Sequence, residues 1–302
     1  EMRFEKLSLY NALSRTSSNV IESRIFPFLF VLILCVLIRI SYPEWGVLSP
    51  FLGFLDSWLY SGYFQFYPDF IDFFGNTYYS SRLSWIIPGY FFYSFFQPYF
   101  AEQLLHYSFL YFSLLFTFYI LKWIIDEKTS FFMVSLLCFY PLTMFEMNYD
   151  HFPLPVFFYL SLTLVSVLFF IQTQKKYALI VAGFSFISLL YANLFSVVMI
   201  PLILIIYWIK KDNNNDTPLF HQIFPLFLGI SIGYVIFTFF GMTYGGMPSI
   251  LKQMGVGLDA ITKQISYYSP IFNYFFNASW LILPVIVVCC CLSFLVFLKI
   301  SK

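Results

Sequence analysis

Asp56 and Asp150 are the residues of this chain whose type and surroundings best suit chemistry. Asp56 follows the first apolar run, and Asp150 ends a later one in a cluster with Glu146 and His151. A carboxylate in a partly dry cleft has a raised proton affinity, which suits a general base that takes a proton from a hydroxyl. The alternatives are a solvated or helix-starting acid at Asp56 and interfacial solvation, or a polar pathway, at Asp150.

Aromatic and basic residues accompany the first aspartate. Tyr60 lies four residues after Asp56, so on a helix the two share a face. Tyr78 and Tyr79 precede Arg82, where apolar sequence resumes. These tyrosines could form a wall on which a sugar stacks. The planar guanidinium of Arg82 could bind a phosphate, or the side chain could snorkel toward lipid headgroups.

A metal site is less clearly indicated. Asp69 and Asp72 are three residues apart and could bind a divalent cation together. Their position in the first turn of a helix offers another explanation, because acids there interact favourably with the helix dipole. The sequence therefore requires no cofactor, and a divalent cation stays an alternative.

The composition indicates a membrane protein. Hydrophobic residues make up 60% of the chain and charged residues only 10%, and the mean hydropathy is +0.79. Soluble domains have a far more polar balance. The net charge of +1 and the lack of a clustered basic stripe argue against a nucleic-acid partner.

Apolar runs long enough to span a bilayer as helices predict an all-α, multispan fold with about eight spans. The predicted spans are 25–42, 104–124, 130–148, 153–173, 177–192, 194–209, 222–242 and 280–300.

Basic residues orient these spans. With residues 1–24 in the cytoplasm, most lysines and arginines lie on that side if segment 84–98 does not cross the membrane. As a helix that segment would reach only about 22 Å, short of the roughly 30 Å hydrocarbon core. We therefore predict that 84–98 dips into the membrane within a single domain, 25–302. The outer loops are then 43–83 and 243–279, and both aspartates face outward.

The first outer loop predicts two surface helices. A helix over 50–66 would expose an apolar face to the interface. A break follows, Pro68 restarts a helix, and Gly75 and Asn76 end it.

The arrangement resembles a known group of enzymes. An outward aspartate after the first span, a basic residue before an apolar dip, and an Asp-x-x-Pro-Leu turn at Asp150 are similar to the lipid-linked sugar transferases of GT-C fold. These include protein O-mannosyltransferases and bacterial aminoarabinose transferases. The resemblance covers about residues 25–175. The chain departs from the pattern in having Ser57, not an acid, after Asp56, and in having about eight spans where many members have more.

The resemblance implies a polyprenyl-phosphate-linked sugar as donor and a lipid, glycan or protein as acceptor. It assigns the catalytic base to Asp56 and a supporting acid to Asp150. Arg82 would lie near the donor phosphate, as would Lys252 and Lys263 of the outer loop 243–279. Tyr60, Tyr78, Tyr79, Glu146 and His151 are the remaining expected substrate-binding residues.

We therefore expect a membrane glycosyltransferase that acts with inversion on the outer side of a plasma membrane. A bacterial inner membrane is favoured. The alternatives are a transporter or flippase of lipid-linked sugar intermediates and a catalytically inactive subunit of an envelope complex. Transporters usually place polar groups near mid-membrane, whereas the aspartates here lie at outer span ends.

Overall fold

The computed structural model describes residues 25–41, 56–77, 79–140, 153–193 and 219–246, with isolated positions 196, 199, 200, 203 and 255. Within these residues the fold contains eight helices and no strand. The helices are α1 (Phe26–Ser41), α2 (Asp56–Phe74), α3 (Leu83–Phe95), α4 (Pro98–Ile124), α5 (Glu127–Phe139), α6 (Pro153–Thr173), α7 (Lys176–Ala192) and α8 (Leu219–Thr243).

Three helices are long and apolar enough to cross a membrane: Pro98–Ile124 in α4, Leu154–Thr173 in α6 and Phe224–Thr243 in α8. The shorter apolar helices are Phe26–Ile40 in α1 and Lys176–Ala192 in α7. The all-helical class is thus confirmed for the described residues. The predicted span 280–300 and nearly all of 194–209 lie outside them.

The predicted span 130–148 is wrong as a continuous helix. Helix α5 ends at Phe139, and Tyr140 adopts an extended conformation with ψ of 122°. Proline at position 141 explains the end, because the residue before a proline is disfavoured in the helical region. The start differs as well, since Asp126 caps the helix by accepting a hydrogen bond from the Thr129 amide.

Helix α2 confirms the predicted break in the first loop. Phe66 has non-helical angles (φ −133°, ψ 44°), two residues before Pro68. The helix ends at Phe74, followed by Gly75 with φ of +69°, a conformation that glycine adopts without strain. Trp58 and Phe66 are more than half exposed, as the predicted interfacial face requires.

Helix α3 lies at the centre of the described part. It packs against α2, α4, α7 and α8, and its first turn, from Leu83 to Ile86, is buried. It runs antiparallel to α4, because Trp85 near its start contacts Phe109 while Tyr93 near its end bonds to Glu102. Helix α3 therefore follows only the first half of α4, and the dip of 84–98 into a membrane stays a prediction.

Glycines allow α7 and α8 to approach backbone to backbone. A Cβ on Gly183 would collide with the Leu226 carbonyl, and one on Gly229 with the Ile180 carbonyl. Gly233 follows Gly229 after three residues, the small-xxx-small spacing of close helix pairs in membranes.

Replacing Gly229 with valine should separate α7 from α8, because the obstacle is a backbone carbonyl that cannot rotate away. We expect a loss of roughly 3 kcal/mol or more in stability, at the upper end of overpacking effects. Thermal unfolding of the purified protein in detergent measures this. Ser231→Val on the exposed face of the same helix is the control, and an equal loss there would contradict the packing role.

Candidate functional site

A network of hydroxyl groups fixes the turn that leads into α3. The Thr77 amide donates to Ser80 Oγ (2.8 Å), and the Ser80 amide donates to Thr77 Oγ1 (3.2 Å). Two tyrosines of α2 hold this turn: the Tyr63 hydroxyl lies 3.0 Å from Thr77 Oγ1, and Tyr67 donates to the Ser80 carbonyl (3.3 Å). The position of the following residues is therefore set by α2.

Arg82 occupies the position before the first residue of α3 and is buried, with only 2% of its surface exposed. Its Nη1 donates to the Tyr60 hydroxyl, and its guanidinium carbon lies 5.7 Å from the centre of the Tyr60 ring. Arg82 does not extend toward lipid headgroups, because its guanidinium is enclosed by protein. A buried cation at a helix N-terminus makes this end of α3 strongly positive.

The structure brings together three predicted site residues. The rings of Tyr60 and Tyr79 meet edge to face at 5.8 Å, so Tyr60 contacts both Tyr79 and Arg82. Asp56 is the first residue of the same helix as Tyr60, one turn away. The Asp56 side chain lies outside the described residues, as do Tyr78, Glu146, Asp150, His151, Lys252 and Lys263.

A second buried polar group escaped the sequence analysis. Glu102 in α4 is 1% exposed and His106, one turn later, is 3% exposed. The Tyr93 hydroxyl donates to Glu102 Oε2 and lies 3.1 Å from Ser61 Oγ. His106 Nδ1 is 3.0 Å from the Glu102 carbonyl and 3.6 Å from its Oε1, and the His106 ring meets Trp85 edge to face. Among the described residues, Arg82, Glu102 and His106 are the buried side chains of the Arg, Lys, Asp, Glu and His types.

The sequence contains a signal that places Glu102 inside a helix. The predicted span began at 104, which left Glu102 in a linker, but α4 begins at Pro98. Proline is favoured at the first helical position because its missing N–H needs no partner there. With that start, Glu102 and His106 occupy one face of an apolar helix, a pattern that indicates a functional polar site in a membrane.

Consecutive residues of α2 connect the two groups. Tyr60 accepts the hydrogen bond from Arg82, and Ser61 contacts Tyr93, which binds Glu102. A buried cation and a buried acid therefore both depend on the first turns of α2, where the predicted base lies.

Burial also changes the acidity of the tyrosines that hold the turn. It raises the pKa of Tyr67 and, despite hydrogen bonds with Thr77 and Ser80, that of Tyr63. Both phenols lie outside the span-length helices and stay neutral donors over the physiological range.

The stability of this turn should decline in alkali. In the unfolded chain a tyrosine ionises near its ordinary pKa of 10.0, whereas folded Tyr67 keeps its proton. Unfolding then releases protons above pH 10, so the free energy of unfolding falls as pH rises past that value. Melting curves below and above pH 10 measure the decline. Tyr67→Phe should show a smaller decline, and an identical one would contradict the assignment.

The two aspartates predicted as possible cation ligands do not belong to the buried polar groups around Arg82 and Glu102. Asp69 and Asp72 are both exposed on α2. Within the described ranges no three His, Cys, Asp or Glu side chains are grouped so that they could hold a metal ion.

Comparisons of the chain with protein-family models, with curated proteins and with solved structures find no match.

Proposed function

We propose that this protein is a membrane glycosyltransferase. It would move a sugar from a polyprenyl-phosphate donor to an acceptor hydroxyl on the outer side of the membrane, with inversion and with Asp56 as general base. One observation carries the proposal: Arg82 is buried at the start of α3 and bonded to Tyr60, one helical turn from Asp56. A cation and a candidate base thus belong to one small region.

The positive end of α3 suits a departing phosphate. The leaving group of such a donor is already good, so the protein mainly positions it and stabilises its developing charge. A guanidinium can bind two phosphate oxygens at once. Because Tyr60 fixes the Arg82 guanidinium in advance, little reorganisation would accompany the reaction.

The remaining predicted residues would complete the site from the outer loops. Asp56 would take the acceptor proton as the oxygen attacks the anomeric carbon, and Asp150 would support it. Glu146 and His151 would line the same pocket, and Lys252 and Lys263 would help to hold the donor. A bacterial inner membrane, with the N-terminus in the cytoplasm, is the location that fits this proposal.

The direct test uses the full chain in proteoliposomes with a radiolabelled polyprenyl-phosphate sugar and a panel of hydroxyl acceptors. We expect label to appear in an acceptor, with inverted configuration at the anomeric carbon. A protein that binds the donor but never forms product with any lipid, glycan or peptide acceptor would contradict the enzyme assignment.

A second candidate function is a transporter or flippase of lipid-linked sugars. Glu102 and His106 favour it, because buried ionisable residues inside a membrane helix are typical of transport pathways. The same proteoliposomes separate the two functions. A transporter would move the intact labelled donor between leaflets without forming a product.

A further inference from the structure

The hydrogen bonds that connect Glu102 to α2 through Tyr93 run in one direction. The Gln65 amide donates to Ser61 Oγ (3.4 Å), and Tyr93 donates to Glu102 Oε2. Since the Tyr93 proton is used on Glu102, Ser61 is the donor in its 3.1 Å contact with Tyr93. The chain of donors therefore ends on a carboxylate, which in its ionised form only accepts.

This direction can reverse when a proton arrives. A protonated Glu102 would donate to Tyr93, Tyr93 to Ser61, and Ser61 to Gln65 once the amide has turned its oxygen inward. Tyr93 gives its proton to Glu102, and Ser61 gives its own proton to Tyr93. Ser61 then takes a proton from a water molecule that replaces the Gln65 amide as its donor, because a carboxamide does not release its N–H proton. The net result is transfer of one proton from that water to Glu102, and bulk water neutralises the hydroxide. Gln65 is half-buried and directly precedes the break at Phe66, so the chain leads from a partly open position to an enclosed acid.

We propose that Glu102 is a proton-binding site that exchanges its proton with water through the hydroxyls of Tyr93 and Ser61, beside Gln65. This inference goes beyond the proposed function, since it concerns the acid itself and holds whether or not the protein transfers a sugar.

Two titratable side chains lie next to the Glu102 carboxyl. The Tyr93 hydroxyl donates to its Oε2, and His106 Nδ1 lies 3.6 Å from its Oε1. The ionisable residues on α4 and on the helices that contact it include Arg39 (α1), Arg82, Tyr90 and Tyr93 (α3), Tyr99, Tyr107, Tyr111, Tyr119 and Lys122 (α4), Glu127 and Lys128 (α5), and Tyr159 (α6).

Infrared difference spectroscopy can observe the carboxyl directly. The full chain in lipid nanodiscs is taken through a series of pH steps, and the C=O band of a protonated acid is recorded. We expect a band that Glu102→Gln removes and that Glu127→Gln leaves in place. Glu127 is the matched control, because it belongs to a separate pair with Lys122 (2.9 Å) beyond the other end of α4. A band unchanged in Glu102→Gln overturns the proposal.

The relay is tested separately by exchange of the carboxyl proton for deuterium. Tyr93→Phe keeps Glu102 but breaks the chain, and we expect exchange slower by on the order of tenfold or more, as for loss of one hydrogen bond. Tyr99→Phe, at an exposed position of α4, should exchange at the wild-type rate. Wild-type exchange in Tyr93→Phe would overturn the relay. Since neither readout uses a sugar donor, a failed transferase assay would leave both results standing.

Discussion

Replacing Asp56 with asparagine is expected to lower sugar transfer by about 10²- to 10⁴-fold, the usual contribution of a general base. Asparagine preserves the size of the side chain but cannot take the proton of the acceptor hydroxyl. The loss should appear in kcat, with donor binding nearly unchanged, because the base acts on the acceptor. Initial rates of product formation from the labelled donor measure it.

Asp72→Asn is the matched control for this variant. It removes the same charge from the same helix, α2, at an exposed position near its other end. We expect its turnover to equal that of the wild type. Full activity in a correctly assembled Asp56→Asn protein would contradict the role of the base.

Replacing Arg82 with methionine should have the second-largest effect. The guanidinium would no longer stabilise the departing phosphate, and loss of one such donor typically costs about 10²- to 10³-fold in kcat. Arg82→Lys should recover part of this loss, since lysine keeps the charge but not the planar fork. Steady-state kinetics at saturating acceptor provide the measurement.

Assembly needs a control here, because Arg82 is buried and bonded to Tyr60. Tyr60→Phe breaks the same hydrogen bond and leaves the cation in place. If Arg82 matters only through its hydrogen bond to Tyr60, then Tyr60→Phe and Arg82→Met should lose equal activity. That result would contradict a role of Arg82 in binding the phosphate. Lys128→Met, at an exposed position on α5, controls for net charge.

Helix bounds were largely predictable because apolar length and proline are local signals. Segment 153–173 agrees with α6, and the break before Pro68 was expected from the sequence alone. Span 130–148 failed because its apolar composition hid the effect of the proline at 141. Periodicity reports which residues avoid water, but a single proline decides where a helix stops.

The site was less predictable because the burial of its residues depends on how separate helices pack together. The sequence indicated that Arg82 could bind a phosphate or reach the headgroups, and only the packing of α2 on α3 shows that it is enclosed. Glu102 was missed because the sequence analysis placed it before a span, whereas Pro98 starts the helix earlier. The roles of Asp56 and Asp150 stay predictions.

The buried start of α3 has a consequence for biogenesis. Trp85 in the first turn of α3 contacts Phe109 of α4, and Arg82 at the N-cap of the same helix is buried. A charged side chain costs about 2.5–3.5 kcal/mol in a helix inserted alone, and α3 has only 13 residues. We expect the longer helices to enter the bilayer first. Helix α3 would dock afterwards, once Tyr60 of α2 is in place to accept the hydrogen bond from Arg82. The contact between Arg82 and Tyr60 would then be among the last parts of the fold to form.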